Sequence, residues 1–466
     1  VVANPPFSSK NWRTGFKPEE DYYSRFDDGI PPAKNGDYAF LLHIIKSLNQ
    51  KGKGAVILPH GVLFRGNAEA EIRENIIKKG YIKGIIGLPA NLFYGTGIPA
   101  CIIVLDKEFA QSRKGIFMID ASKGFYKDGN KNRLRSQDLH KIVDVFNKQL
   151  ELPKYSRVVS LDEIQSNEYN LNIPRYIDTQ NEEDIQDIEA HLLGGIPEKD
   201  INALQKYWNI LPKLKDELFK KRSREGYFEI KVESDEIKEK ILTSSEFVNY
   251  KKEVEEIFEK WKTKYAQELK SLEIGSNPKE IIGNISEELL ERFSKVKLID
   301  KYDMYQHLMD YWYETMQDDI YIIGNDGWKA EVYRIIEIDK NKKEKDKGWA
   351  CDLIPKDLVV NRYFSEMRDK ILEIENQKEN ITSEMEEMTE EQSGEDGLLE
   401  EVKSDKGTIA KGNVIKRIKE LLKDDGDNSD ELEVLNKYLG LMDQYTNLKG
   451  EIKTAQDELD KKLLKQ

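Results

Sequence analysis

The first 120 residues alternate short apolar runs with segments whose apolar residues recur at helical spacing. The runs are short and rich in β-branched residues, as buried strands are; they are 55–58, 85–88, 101–105 and 116–119. Two segments between them have the pattern of amphipathic helices, one over 37–45 with Asp37 as its N-cap and one over 68–79. Alternation of strands and helices predicts a largely parallel, buried sheet.

One connection in this region is too short for a helical crossover. It joins the runs at 85–88 and 101–105 through Asn91, Gly95 and Gly97, and it has no helical pattern. A long hairpin fits such a connection and makes one strand antiparallel to its neighbours. The pattern therefore predicts an α/β fold with a mixed sheet that contains one antiparallel strand.

After the predicted strands, the sequence pattern changes twice along the chain. A basic loop over 123–135 leads into an extended stretch that ends near 172–177, and we place a domain boundary near 180. Residues 181–360 have a mostly helical pattern and are predicted to form a helical extension. Residues 361–466 form an acidic helical tail with a coiled-coil-like stripe near its end: Tyr438, Met442, Tyr445, Leu448, Ile452, Ala455 and Leu459.

Charge is distributed unevenly along the chain. Residues 1–180 contain 26 Lys and Arg against 20 Asp and Glu, whereas the remaining residues contain 47 against 67. The net charge of −14 for the whole chain hides this difference. The mildly basic first part can lie near phosphate, and the acidic remainder suits solvent or protein partners better than a duplex.

Composition excludes several classes of protein. No apolar run reaches the length of about 18 residues that a membrane span needs. Only Cys101 and Cys351 occur, which excludes a disulfide scaffold and a zinc site built from cysteines and fits a reducing cytoplasm. The start at Val1 has neither an initiator Met nor a secretory leader, so we expect polypeptide upstream of it. We expect no metal site, because the histidines are scattered without ligand spacing: His43, His60, His140, His191 and His307.

The residues with the clearest chemistry are Asn4, Pro5, Pro6 and Phe7, which follow an apolar strand. The prolines fix their own φ angles and hold Asn4 in an extended conformation. Since the prolines have no N–H, the Pro5 carbonyl is left available as an acceptor beside the Asn4 carboxamide oxygen. Two acceptors beside the flat Phe7 ring suit a base amine, which offers two N–H donors on a planar ring. An isolated Asn-Pro-Pro is more often an ordinary turn than a binding site for a base. The wider sequence is therefore needed to decide between a turn and a binding site.

The run resembles the Asn-Pro-Pro-Phe motif of amino-methyltransferases that act on adenine. The downstream sequence is similar to the modification subunit of type I restriction-modification systems, specifically over residues 1–178 and more loosely over 200–360. The chain thus resembles the carboxyl-terminal part of such a subunit, starting at the motif. The matching pieces are 36–40, 58–66, 87–101, 119–122 and 169–176.

The resemblance implies a fold and an activity. The fold is a partial Rossmann-like methyltransferase sheet over residues 1–180, and the activity is methyl transfer from S-adenosylmethionine to N6 of adenine in DNA. The catalytic residues are then Asn4, Pro5, Pro6 and Phe7: Asn4 and the Pro5 carbonyl accept hydrogen bonds from the amine of a flipped-out base, and Phe7 stacks on that base. The expected partners are DNA, a separate specificity subunit and the restriction (motor) subunit, with no membrane.

The resemblance also places the cofactor site outside this chain. The family's Gly-rich cofactor loop and its acidic ribose-binding residue precede the catalytic loop, so we expect the S-adenosylmethionine motif upstream and the fragment alone to be inactive. Gly95 and Gly97 do not open a helix, which favours a hairpin turn over a phosphate cradle. Five basic residues are candidate DNA contacts, although a solvated loop is the commoner role of such a segment: Lys123, Lys127, Lys131, Arg133 and Arg135.

Two other functions remain open. The chain can act as a non-catalytic assembly module that docks specificity and restriction subunits through residues 200–466, which the missing cofactor residues favour. A related Asn-Pro-Pro turn also serves methyltransferases that act on RNA or on protein glutamine. Titration with S-adenosylmethionine tests the first alternative, and a labelled-methyl assay on the three substrates tests the second.

Overall fold

The computed structural model of the protein describes residues 1–179, 185–338, 340, 342, 344–392, 397–404, 408–424 and 428–463. It divides into two compact units. The first comprises Val1–Leu272 with Ser276–Ile320, and the second comprises Glu273–Gly275 with the described residues from Tyr321 onward. The boundaries near 180 and 360 that the sequence predicts stay predictions.

A six-stranded mixed sheet forms the centre of the first unit, in the order β1-β2-β4-β3-β5-β8. Strands β1, β2, β3 and β5 are parallel to one another, whereas β4 and β8 run antiparallel to their neighbours. Strands β6 and β7 form a separate hairpin. The bounds are β1 (Val2–Ala3), β2 (Lys53–Pro59), β3 (Ile82–Gly87), β4 (Ala100–Asp106), β5 (Gly115–Asp120), β6 (Tyr126–Asp128), β7 (Lys131–Arg133) and β8 (Ser156–Ser160).

The mixed sheet and the antiparallel strand after the 89–99 connection are confirmed. The prediction of a single antiparallel strand is wrong, because β8 pairs antiparallel with β5 at the sheet edge. Only Ser156 and Val159 of β8 are buried, so this strand lacks the continuous apolar run by which the other strands were recognised.

Helices cover both faces of this sheet. The two predicted helices are present as α1 (Asp37–Ser47) and α2 (Ala68–Lys78). Gly36 is the N-cap of α1, so the prediction that Asp37 caps the helix is wrong by one position. The extended stretch predicted after residue 135 is also wrong, since it contains α3 (Ser136–Lys148) and α4 (Leu161–Ser166). One face of the sheet packs a core with Leu41, Leu58 and Ile76, and the other packs Phe117 and Val145.

The rest of the first unit is mainly helical, as predicted, with the addition of a small antiparallel sheet in the order β10-β11-β9. Its strands are β9 (Ile196–Pro197), β10 (Phe219–Lys221) and β11 (Tyr227–Ile230). The helices are α5 (Ile188–Leu193), α6 (Glu198–Ala203), α7 (Gln205–Trp208), α8 (Pro212–Leu218), α9 (Ile237–Thr243), α10 (Ser245–Lys270), α11 (Pro278–Phe293) and α12 (Lys301–Tyr311).

In the second unit, two long helices pack side by side. Met388 clusters with Leu435 and Ile371 clusters with Leu459, so α15 and α17 run antiparallel. The predicted terminal helix is present, and its coiled-coil character stays a prediction. The bounds are α13 (Gln317–Asp326), which contains the unit boundary, β12 (Val332–Ile338), β13 (Glu344–Cys351), α14 (Lys356–Tyr363), α15 (Ser365–Glu391), α16 (Lys411–Leu421) and α17 (Ser429–Leu463). Within the described residues, no helix is both long and apolar enough to cross a membrane.

Candidate active site

The Asn4–Phe7 segment, here the corner, lies at the carboxyl end of β1. Val2 pairs with Ala55 and Ala3 with Val56 in a parallel register, so the corner is at the edge where β2 also ends. Strands β3 and β5 end at the same edge, because they share the direction of β2. Open α/β sheets bind their ligands outside this carboxyl edge. The corner therefore occupies the place that its predicted role requires.

The corner is only partly buried. Asn4 and Pro6 are exposed, whereas Pro5 and Phe7 are half-buried. Among the described residues, neither the Asn4 carboxamide nor the Pro5 carbonyl is engaged in a hydrogen bond. Both oxygens can thus accept hydrogen bonds from a ligand.

A second aromatic ring stands beside the corner. The ring centroids of Phe7 and Phe93 are 5.5 Å apart, with an interplanar angle of 68°. Phe93 belongs to the connection 89–99 between β3 and β4, and its position was not predicted from the sequence. The sequence did contain one indication of this position. Phe93 is an aromatic residue in a connection whose two ends lie at the carboxyl edge of the sheet.

The β6–β7 hairpin supports this connection from the side. Lys131 Nζ donates to the carbonyls of Phe93 at 2.8 Å and of Thr96 at 3.2 Å. Asn132 Nδ2 donates to the Ala90 carbonyl at 2.7 Å, and the backbone N–H of Asn132 donates to the Asn91 carbonyl at 3.0 Å. The half-buried Lys131 ammonium is therefore held against the loop that carries Phe93.

The side chains of the other four predicted DNA contacts have different surroundings in the structure. Arg133 is paired with Asp128 at 2.5 Å, and Arg135 is paired with Asp138 at 2.9 Å. Lys123 donates to the carbonyl of Thr179. Lys127 is exposed on β6 and has no ion-pair partner within the part of the chain that the structure describes. A role in binding DNA stays a prediction for all five residues, and Lys127 has the freest side chain for it.

Behind the corner, the chain is tied to the start of α1. The backbone N–H of Ser8 donates to Asp37 Oδ1 at 2.6 Å, and Arg65 Nη1 donates to Asp37 Oδ2 at 2.8 Å. Asp37 is fully buried. The nearby Cys101 thiol is fully buried too, and its burial raises its pKa, so it stays protonated and unreactive.

The residues at this edge do not fit S-adenosylmethionine as a bound group. Gly95 and Gly97 lie between two antiparallel strands rather than before a helix. Gly61 is covered by Arg65, whose Nε lies 2.6 Å from where a Cβ of residue 61 would stand. Within the described residues, no group of three or more His, Cys, Asp or Glu side chains could hold a metal ion. Among the described residues, these glycines therefore form no cradle for the methyl donor.

Comparison with known proteins finds similarity in the first part of the chain. The profile of the N-6 DNA methylase family matches residues 1–185. Over this part, the chain is similar to N-6 DNA methylases. The resemblance to type I modification subunits inferred from the motifs is thereby confirmed.

Proteins similar to this segment include methylase subunits of type I restriction enzymes. The MpnII methylase subunit of Mycoplasma pneumoniae is 32% identical over 219 residues, which are 46% of this chain and 40% of that protein. The MjaVII methylase subunit of Methanocaldococcus jannaschii is 34% identical over 201 residues, 41% of this chain and 34% of that protein. The chain thus covers less than half the length of either relative.

A solved structure is also similar in sequence. The type I restriction-modification system methyltransferase subunit from Streptococcus thermophilus is 40% identical, and the similarity covers 39% of this chain and 38% of that one. The TM-score between the two is 0.36.

Proposed function

We propose that this chain is part of a DNA adenine-N6 methyltransferase, the modification subunit of a type I restriction-modification system, and that the corner binds the target adenine. The observation that carries the proposal is the place of Asn4 and Pro5. Two unengaged oxygen acceptors lie at the carboxyl edge of a parallel strand, next to the rings of Phe7 and Phe93. The match of residues 1–185 to the N-6 DNA methylase family supports the same function.

The proposed role of the corner follows from the chemistry of adenine. The exocyclic amine is a poor nucleophile, because its lone pair is delocalised into the ring. Hydrogen bonds from its two N–H groups to Asn4 Oδ1 and to the Pro5 carbonyl localise that pair on nitrogen and hold the amine in one orientation. The amine is paired inside a duplex, so the base must be flipped out, and Phe7 then provides a face on which it stacks.

The proposal includes a methyl donor and partners that this chain does not hold. S-adenosylmethionine supplies the methyl group, and we place its binding residues in the part of the subunit that precedes the corner. On this proposal the fragment alone is inactive. DNA, a specificity subunit and a restriction subunit are the proposed partners, and the cytoplasm is the proposed location.

The first test is Asn4→Ala in the complete subunit, assembled with its specificity subunit. Loss of one of two hydrogen bonds to the reacting amine should lower kcat for DNA methylation by about 100-fold or more, the scale found when one stabilising group is removed from an active site. Asn147→Ala, an exposed asparagine on α3, is the matched control and should leave kcat unchanged. Normal methylation by Asn4→Ala would remove Asn4 from its proposed role.

A second candidate function, a non-catalytic assembly module, is favoured by one observation: among the described residues, the glycines near the carboxyl edge form no cradle for S-adenosylmethionine. Calorimetric titration of this chain with S-adenosylmethionine tests whether the chain binds the methyl donor by itself. Heat of binding would contradict our placement of the donor site before the corner. An absence of heat excludes catalysis by the fragment alone and is compatible with assembly.

The nature of the methyl acceptor needs a separate assay. Enzymes for RNA and for protein glutamine use a related Asn-Pro-Pro turn, so the acceptor must be tested directly. We expect the complete subunit to transfer label from methyl-labelled S-adenosylmethionine to DNA and not to RNA or to glutamine in protein. Transfer to either of the other acceptors would contradict the proposal.

A further inference from the structure

The turn that follows the corner has an unfavourable backbone conformation. Ser8, directly after Phe7, has a φ of 51°, in the left-handed region that residues with a side chain rarely adopt. Such a conformation persists only where the surrounding structure holds it, and it is frequent at functional sites. The residues that hold Ser8 therefore determine how the chain leaves the corner.

Asp37 is the side chain that holds this turn. Its Oδ1 accepts the Ser8 backbone N–H at 2.6 Å, and its Oδ2 lies 3.5 Å from Ser8 Oγ. The neighbouring backbone adds a second attachment, because the Gly36 N–H donates to the Ser9 carbonyl at 3.0 Å. The start of α1 thus fixes two consecutive residues of the turn.

Asp37 is itself held in one position. It is fully buried, and Arg65 Nη1 donates to its Oδ2 at 2.8 Å. Arg65 also lies 3.4 Å from Oε1 of Glu69, which is on α2. A buried carboxylate needs such a charged partner, and in return it provides a stronger acceptor than a neutral group. The turn is therefore linked to both helices that pack on the sheet beside the corner.

We propose that Asp37 is a positioning residue for adenine methylation: through Ser8 it sets the direction of the Asn4–Phe7 corner without touching the base. The inference rests on the proposed function of the corner. Its consequence is that loss of Asp37 leaves the acceptor oxygens present but displaced, and a small displacement of reacting groups costs up to about 100-fold in rate.

The experiment compares three variants in the complete subunit with its specificity subunit. Asp37→Ala removes both acceptors and should lower kcat about 10- to 100-fold, while the KM for S-adenosylmethionine changes less than about threefold, since the inference gives Asp37 no contact with the methyl donor. Asp37→Asn keeps the shape and one acceptor oxygen, so its kcat should lie between those of Asp37→Ala and the unchanged protein. It also keeps the test decisive if Asp37→Ala does not fold.

Asp106→Ala is the matched control. Asp106 is also a buried carboxylate; it accepts the Glu108 N–H at 3.0 Å and lies 3.5 Å from Lys83, but it stands at the opposite edge of the sheet. We expect it to lower the Tm as Asp37→Ala does and to leave kcat unchanged. Equal kcat values for the folded Asp37 and Asp106 variants would overturn the inference.

Asn4→Ala, measured beside these variants, separates two kinds of failure. If Asn4→Ala is inactive and both Asp37 variants have full kcat, the positioning role is wrong and the proposed function stands. If Asn4→Ala also has full kcat, the proposed function of the corner is wrong. The inference is supported if kcat is lowest in Asp37→Ala, intermediate in Asp37→Asn and highest in the unchanged protein.

Discussion

Two lysines on the same hairpin, Lys127 and Lys131, have different surroundings and should behave differently. Lys127 is exposed on β6, whereas Lys131 donates to two carbonyls of the loop that carries Phe93. If Lys127 contacts a phosphate, Lys127→Ala should weaken DNA binding and reduce the slope of log K against log salt by about 0.9. Fluorescence anisotropy over a series of salt concentrations measures this slope, and an unchanged slope would exclude the contact.

Lys131→Ala should instead act on the protein. The Phe93 and Thr96 carbonyls lose their partner, so we expect a lower free energy of unfolding, by about 1–2 kcal/mol, with an unchanged salt slope for DNA. Denaturant unfolding and the same anisotropy series provide the two values. A reduced salt slope without loss of stability would show that Lys131 faces phosphate after all.

For single residues, the sequence was sufficient to predict the geometry of the site only where one short motif determines its own conformation. The two prolines impose the conformation of the corner locally, so the strand tip and the outward acceptors could be predicted. Phe93 beside Phe7 and Asp37 beneath Ser8 could not be predicted, because 86 and 29 residues of chain separate these pairs and only packing brings them together.

Among the elements, α3 was missed and β8 was not recognised. α3 follows a basic loop, and its apolar residues have helical spacing that the prediction of an extended stretch overlooked; Ile142 and Val145 are buried, whereas Leu139 and Val143 are exposed. β8 is a short edge strand with only two buried residues. By contrast, α1, α2 and the inner strands have long apolar faces, so their periodicity was sufficient to predict them.

The contact between α3 and α12 should depend on pH. Asp144 on α3 accepts hydrogen bonds from Lys301 Nζ at 2.9 Å and from the Tyr302 hydroxyl at 2.6 Å. Burial alone raises the pKa of Asp144, but hydrogen bonds from Lys148, Tyr302 and Lys301 outweigh it and hold the pKa well below its ordinary value. A pKa that is lower in the folded state means that protonation favours unfolding.

Asp144→Asn tests this dependence. At pH 7 it should lower the free energy of unfolding of the first unit by about 2 kcal/mol, because two charged partners lose their carboxylate. The difference between the two proteins should shrink as the pH falls below about 4, the ordinary pKa of an aspartate, because Asp144 then binds a proton in the unfolded chain while it stays ionised in the folded one. Unfolding curves at several pH values measure it, and a difference that stays constant down to pH 2 would contradict this account.

For the whole molecule, the two units should unfold separately, because each has its own apolar core. Leu58 is fully buried in the first and Leu435 is fully buried in the second. Each Leu→Ala change should cost about 2–5 kcal/mol in the unit that contains it. Scanning calorimetry should therefore show that Leu58→Ala and Leu435→Ala lower different transitions. A single transition that both variants shift equally would contradict the division into two units.

The central claim is that the corner holds an extruded adenine by its amine. It is tested most directly by a structure of the complete subunit with its specificity subunit, a duplex that contains the target adenine, and a non-reactive analogue of S-adenosylmethionine. We predict that N6 of the flipped base lies about 2.7–3.2 Å from both Asn4 Oδ1 and the Pro5 carbonyl oxygen. A flipped base held elsewhere, with Asn4 and Pro5 still facing solvent, would contradict the account.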